Sequence, residues 1–380
     1  MQHDRERCKP VRELTIPSAG TPTENSAARY VFDNAERRPQ IVSLRVREGD
    51  SWSDVTAGQF AEQVLAVAKG LLASGVEAGD RVGLMSKTRY EWTLFDFALL
   101  SVGAVVVPIY ETSSAEQVEW ILADSQAKAV IVETPAHAEV VDEVRARTPD
   151  LQSVWRIDED AVGTLTAAGA ELADAEVTKR LDATKPEDLA SLIYTSGTTG
   201  RPKGCQLTHA NFVAEVFQIT SGQQNLFNEN SSTLLFLPIA HVFGRAIEIG
   251  AIATGTTLGH TADIRNLIAD LGVFKPVFVL SVPRVFEKVY NTAKQRAHAE
   301  GKGAIFDKAE QIAIAYSEAQ DARGPGALLK LQHALFDKLV YRRLRAALGG
   351  RCTAAISGGA PLGARLGHFF RGIGVTIYEG

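Results

Sequence analysis

Tyr194-Thr195-Ser196-Gly197-Thr198-Thr199-Gly200-Arg201-Pro202-Lys203-Gly204 decides the reading of this chain. It follows the apolar run Leu189-Ala190-Ser191-Leu192-Ile193, which reads as a buried strand. It precedes Thr208-His209-Ala210-Asn211, where Thr208 has the chemistry of a helix N-cap. Glycines let a backbone take positive φ and approach a ligand closely. Hydroxyls and exposed turn N–H groups suit phosphate oxygens. Lys203 adds a mobile positive charge, and each charge-assisted hydrogen bond contributes roughly 1.5–3 kcal/mol. A polyphosphate cradle is the expectation, in preference to a plain hydroxyl-rich loop.

Spacing restricts which cradle. The P-loop pattern G-x-x-x-x-G-K-[ST] started at Gly197 puts Pro202 at the second glycine and Gly204 at the final hydroxyl, so both positions fail. The stretch instead resembles the phosphate loop of adenylate-forming enzymes, [ST]-[ST]-G-[ST]-T-G-x-P-K-G, and fits it at every position from Thr195 to Gly204. That family includes acyl-CoA synthetases, peptide-synthetase adenylation domains and luciferases.

The resemblance extends to three more stretches. Leu237-Pro238-Ile239-Ala240-His241-Val242-Phe243-Gly244-Arg245 carries the family's Pro-x-x-His. His241, Val242, Phe243 and Arg245 are therefore expected beside the acyl substrate, with His241 also catalytic; taken alone, His241 reads equally as a cap or packing residue. Some long-chain members have a gating tryptophan where this chain has Arg245. Val282-Pro283-Arg284-Val285-Phe286 is similar to a segment of long-chain acyl-CoA synthetases, and also reads simply as a helix start. Ser357-Gly358-Gly359-Ala360-Pro361-Leu362 resembles the adenine-binding turn, with Gly358, Gly359, Ala360 and Pro361 against the purine. Ile377-Tyr378-Glu379-Gly380 resembles the lead-in to the Tyr-Gly-x-Thr-Glu segment, which puts Glu379 and Gly380 at the nucleotide.

The resemblance implies ATP and Mg²⁺ as cofactors and coenzyme A as co-substrate. It assigns the nucleotide to Thr195, Ser196, Gly197, Thr198, Thr199, Gly200, Lys203 and Gly204. Lys203 is catalytic, on the leaving pyrophosphate; Ser196, Thr198 and Thr199 take β- and γ-oxygens, and Thr195 the magnesium shell. The implied activity is a long-chain fatty acid–CoA ligase that forms acyl-AMP and then acyl-CoA. Rival readings are a medium-chain, aryl or amino-acid adenylating enzyme, a fatty acyl-AMP ligase serving a carrier protein, and a nucleotide-binding domain without turnover. Against the family pattern the chain is expected to stop before the ribose-binding Asp, the hinge and the C-terminal lid domain with its lysine, and so to form little thioester alone.

Composition agrees with this class. A chain of 380 residues, 45% hydrophobic and 22% charged, suits two globular units. A net charge of −5 argues against nucleic acid as a partner. Cys8, Cys205 and Cys352 have no metal-site spacing and point to a reducing compartment. No signal peptide is apparent, and the apolar run Phe97 to Ile109 is too short for a membrane span, so a cytosolic location is expected. Peripheral membrane contact for substrate uptake is a further expectation. His137-Ala138-Glu139 lacks the P-C-x-x-C of a zinc deaminase, and neither H-E-x-x-H nor a nucleophile elbow occurs.

Strand and helix patterns alternate through both halves. They predict an α/β fold: two similar doubly wound, mostly parallel sheet subdomains with helices on both faces, and a small β-barrel subdomain incomplete or absent. Residues 1–24 read as an arm, 25–188 as the first subdomain, and 189–380 as the second. Acidic, alanine-rich residues 158–188 read as a connector.

Overall fold

The structure is a computed structural model, and it describes residues 20, 22, 24, 26–49, 51–195 and 201–379. The chain forms two compact units. One comprises residues 18–230 and 235–262, and the other residues 231–234 and 263–380 together with the first 17 positions, within the limits of the described residues.

The first unit opens with α1 (Arg29–Arg37), β1 (Val42–Glu48), β2 (Ser51–Thr56) and α2 (Ala57–Ala73). It continues through β3 (Arg81–Met85), α3 (Tyr90–Ser101), β4 (Val105–Ile109), α4 (Ala115–Asp124), β5 (Ala129–Val132), α5 (Pro135–Val144) and β6 (Ser153–Arg156). Then come α6 (Ala161–Ala168), α7 (Asp174–Ala183), β7 (Leu189–Thr195), β8 (Lys203–Thr208) and α8 (His209–Gly222). After β9 (Ser232–Leu235), the unit is completed by α9 (Val242–Thr254) and β10 (Thr257–His260).

Its six-stranded sheet has the order β6-β5-β3-β4-β7-β8, parallel except for the antiparallel edge pair β7–β8. The step from β3 to β4 and the step from β4 back across β3 to β5 run in opposite directions. Right-handed crossovers therefore put α3 and α4 on opposite faces, which is the doubly wound arrangement. In α3 every residue from Trp92 to Ser101 is buried, as for a helix covered all round. Capping boxes at Thr56, Ser114 and Thr208 fix three helix starts, each with the hydroxyl accepting from the N3 amide and the N3 side chain returning. Strand β1 pairs with β10 in parallel and with β2 antiparallel.

The second unit holds α10 (Leu267–Phe274), β11 (Phe278–Ser281), α11 (Pro283–Ala299), α12 (Gly303–Gln320) and α13 (Ala327–Phe336). A π-helical turn, Asp337–Tyr341, runs into α14 (Arg342–Ala347), then β12 (Ala354–Ser357), α15 (Ala364–Gly372) and β13 (Thr376–Glu379). Strands β13-β12-β11-β9 are parallel in that order. Both units thus have the expected parallel-dominated α/β character.

Two expectations are corrected. Residues 158–188 are no simple connector: α6 and α7 bury Leu165, Val177 and Leu181. The close approach of α6 to α2 requires glycine, since a Cβ at Gly70 would lie 2.0 Å from the Leu165 carbonyl oxygen. The units also do not part at residue 188, because β7 pairs with β4 inside the first unit (Val106 opposite Ser191).

Candidate functional site

The strands that flank the glycine-rich stretch in sequence pair with each other as an antiparallel hairpin. Strands β7 and β8 pair in the register Ile193–Cys205, Tyr194–Gly204 and Thr195–Lys203, so Thr195 and Lys203 form the last pair before the turn. Ser196, Gly197, Thr198, Thr199 and Gly200 lie outside the described residues. β7 runs parallel to β4, so Thr195 lies at the carboxyl end of the parallel strands, where ligands bind in such sheets.

Neighbouring side chains hold this hairpin. The Trp120 indole N–H donates to the Pro202 carbonyl at 2.7 Å, and the Arg201 guanidinium lies 4.6 Å from the centre of the same ring. The Tyr194 hydroxyl donates to Asp124 Oδ2 at 2.7 Å. A Cβ at Gly204 would come within 3.1 Å of the Tyr194 ring, so glycine lets the two strands close. Thr195 and Lys203 are both exposed, and Lys203 forms no ion pair among the described residues. Sequence reasoning placed Lys203 in a loop and missed β8, whose residues show no clean alternation of burial.

His241 is the N-cap of α9. Its Nδ1 accepts from the Phe243 amide at 3.2 Å, which puts the imidazole proton on Nε2, the opposite ring nitrogen. The cap reading and the functional reading are thus compatible: one nitrogen serves the helix and the other is a donor. His241 and Val242 are exposed and Phe243 is half-buried. The preceding turn is tight, since a Cβ at Gly244 would lie 2.6 Å from the Pro238 oxygen. Thr88 Oγ1 donates to the Leu237 carbonyl at 2.8 Å and anchors the same turn.

Arg245, expected at the substrate, is instead fully buried. Its Nε donates to Asp96 Oδ2 at 3.0 Å, its Nη2 to Asp96 Oδ1, and its Nη1 to Ser191 Oγ at 2.6 Å. The guanidinium also lies 4.8 Å from the Phe212 ring centre. The bidentate pair satisfies a charge that burial would otherwise make costly. Ser191 sits on β7, so Arg245 ties the helix headed by His241 to the strand that delivers Thr195.

More polar groups surround this pair. Glu248, one turn along α9, is fully buried; desolvation, reinforced by the charge of Asp96, raises its pKa well above the usual carboxylate value. His260 Nε2 and Thr93 Oγ1 are 2.9 Å apart, and burial lowers the His260 pKa to about 3. His209 Nδ1 and Ser26 Oγ are 3.1 Å apart, and burial lowers the His209 pKa to about 4. Nothing in the sequence marks Asp96, Ser191, Glu248 or His260 as one cluster.

In the second unit, β12 leads into the turn Gly358-Gly359-Ala360-Pro361-Leu362. Gly359 has φ +83°, a left-handed conformation that favours glycine, while the Gly358 amide donates to the Ser281 carbonyl at 3.3 Å. Glu379 Oε1 accepts from the Leu362 amide at 2.6 Å and so pins the turn to β13. Ala360 and Pro361 are exposed, giving a small-residue surface. Gly380 lies outside the described residues. Arg284 and Lys288 are exposed one turn apart on α11. Among the described residues no cluster of His, Cys, Asp and Glu could hold a metal ion by itself.

The chain is 53% identical over 374 residues to the long-chain-fatty-acid–CoA ligase FadD15 of Mycobacterium bovis, covering 97% of this chain and 62% of that protein. It is 30% identical to the peroxisomal long chain acyl-CoA synthetase 7 of Arabidopsis thaliana, covering 96% and 52%. It thus spans about 62% of the length of the first of these curated relatives and about half of the second. Among solved structures, the long-chain-fatty-acid-CoA ligase FadD1 of Archaeoglobus fulgidus superposes with a TM-score of 0.70 at 18% identity, covering 95% of this chain and 62% of that one. Residues 31–380 match the AMP-binding enzyme family. This chain belongs to the AMP-binding enzyme family.

Proposed function

We propose that the protein to which this chain belongs activates a long-chain fatty acid with ATP, forming acyl-AMP and pyrophosphate and then acyl-CoA and AMP. The carrying observation is the pairing of Thr195 with Lys203 at the mouth of a hairpin whose sequence fits the family's phosphate loop throughout. The names of the relatives support the acyl substrate and coenzyme A.

In the first step a carboxylate oxygen bonds to the α-phosphorus while the bond to the pyrophosphate oxygen breaks. Negative charge moves onto the leaving group, where fixed donors and the Lys203 ammonium stabilise it. Ser196, Thr198 and Thr199 supply hydroxyls to the β- and γ-oxygens. Thr195 offers a hard oxygen of the kind that suits Mg²⁺, an ion held by few protein ligands plus phosphates and water; when bound it neutralises triphosphate charge. The Nε2–H of His241 orients the acyl carboxylate. Arg245 acts through α9, as a positioning residue. Gly358, Gly359, Ala360 and Pro361 form the flat surface for adenine, and Glu379 holds that turn. In the second step the coenzyme A thiol attacks the acyl carbonyl and AMP leaves. The acyl chain contributes about 0.8 kcal/mol per buried CH₂, and a water-insoluble chain of this kind is met at a lipid surface.

The test is ATP–pyrophosphate exchange driven by fatty acids of graded length. Exchange that rises with chain length supports the proposal. Exchange confined to acids shorter than about eight carbons, where little CH₂ burial is available, transfers the assignment to a medium-chain or aryl acid.

A further inference from the structure

Helix α13 carries its apolar face on the outside. Leu328, Leu331 and Leu335 of α13, followed by Leu339 in the π-helical turn, recur three and four residues apart, the spacing of one helical face, and are 69%, 70%, 55% and 49% exposed. No residue of α13 is buried. The opposite side is firmly attached: His333 Nε2 donates to the Gly372 carbonyl at 2.6 Å, and its ring stacks on Tyr316 at 3.8 Å. Beyond it the Tyr341 hydroxyl donates to the Ala309 carbonyl at 2.7 Å, and Arg345 Nη1 to the Ile373 carbonyl at 2.7 Å. The helix is therefore fixed by polar and aromatic contacts, and its leucines face solvent.

Charge selects the occupant of this face. Residues 327–347 contain Lys330, Lys338, Arg342, Arg343 and Arg345 against a single acid, Asp337, in a chain whose net charge is −5. Asp337 is engaged by Arg345 at 2.7 Å. Lys330, Lys338, Arg342 and Arg343 are exposed, with no ion pair among the described residues. A second copy of the same face would bring like charges together. An anionic bilayer takes both components, with leucines below the headgroups and ammonium and guanidinium groups at the phosphates.

We propose that residues 327–347 form an interfacial helix that docks this unit on anionic lipid. The proposal gives a location to the lipid contact of the acyl-ligase reading and rests on that reading only for its purpose. Vesicle partition is measured without substrate, so failure here and failure of acid activation are separate results.

The test is co-sedimentation of the 380-residue chain with phosphatidylglycerol-containing and pure phosphatidylcholine vesicles, with light scattering of the chain alone. Two double variants are used, Leu331→Gln with Leu335→Gln and Lys338→Glu with Arg342→Glu; all four side chains are exposed, and thermal melts check the fold. The chain should partition onto the anionic vesicles, weakly onto the neutral ones, and less at high salt. Each double variant should lower the anionic partition coefficient roughly tenfold or more. Absence of partition, partition unchanged in both variants, or a dimer that the leucine variant converts to monomer would overturn the proposal.

Discussion

Arg245 and Asp96 meet at complete burial through two hydrogen bonds, Nε to Oδ2 at 3.0 Å and Nη2 to Oδ1, with the remaining guanidinium nitrogen on Ser191. The pair joins α9, headed by His241, to α3 and to β7, which ends at Thr195. Its effect on chemistry therefore passes through position. Arg245→Ala leaves the Asp96 carboxylate buried without its partner and should destabilise the fold by about 3–5 kcal/mol. Chemical denaturation of both proteins measures this; a loss below about 1 kcal/mol, the scale of an exposed pair, would contradict the buried-pair assignment.

His241 separates two roles within one residue. Asn is as good an N-cap as any residue and lacks the imidazole. His241→Asn should keep the melting temperature within a few degrees while acid-dependent pyrophosphate exchange falls about a hundredfold or more. Unchanged exchange would leave His241 as a cap only.

The buried histidines set an acid limit. His260 and His209 have folded pKa values of about 3 and about 4, below the ordinary 6.5, because burial disfavours the imidazolium. Above pH 6.5 both are neutral in the folded and unfolded chains. As pH falls from there toward 4, the unfolded chain binds protons that the folded chain refuses, so stability is lost. The loss is on the order of 3 kcal/mol per histidine. His260→Gln removes one of them and should shrink the stability difference between pH 7 and about pH 4.5, as followed by urea denaturation. An unchanged difference would show that folded His260 takes up its proton as readily as the unfolded chain does, and so that burial does not lower its pKa.

Local chemistry was legible in the sequence where a few adjacent residues settle it. Thr208 announced a helix start because a cap needs only a hydroxyl and an answering side chain three residues on, and the caps observed at Thr56 and Ser114 are of the same kind. The strands Arg81–Met85 and Ala129–Val132 are short apolar runs between turn residues, a pattern that is local in the same way. Helices α6 and α7 did not, because they are short, alanine-rich, and bury few large side chains. Strand β8 depends on its pairing with β7, which no local pattern of its own declares. The role of Arg245 was hidden for the same reason, since Asp96 lies 149 positions away. The phosphate hairpin was recognised from its residues, whereas its bracing by Trp120 and Asp124 required the fold.

The hairpin is the centre of the functional account. Lys203 stands opposite Thr195 at the mouth of the turn, exposed and without an ion pair among the described residues, so its replacement removes charge and leaves no buried partner stranded. A lost charge-assisted hydrogen bond to phosphate corresponds to roughly 1.5–3 kcal/mol, or about ten- to a hundredfold in affinity. Calorimetric titration of ATP into the native chain and into Lys203→Ala measures this directly. The variant should bind ATP about ten- to a hundredfold more weakly with an unaltered melting temperature; equal affinity in the two proteins would contradict the assignment of this turn to the triphosphate.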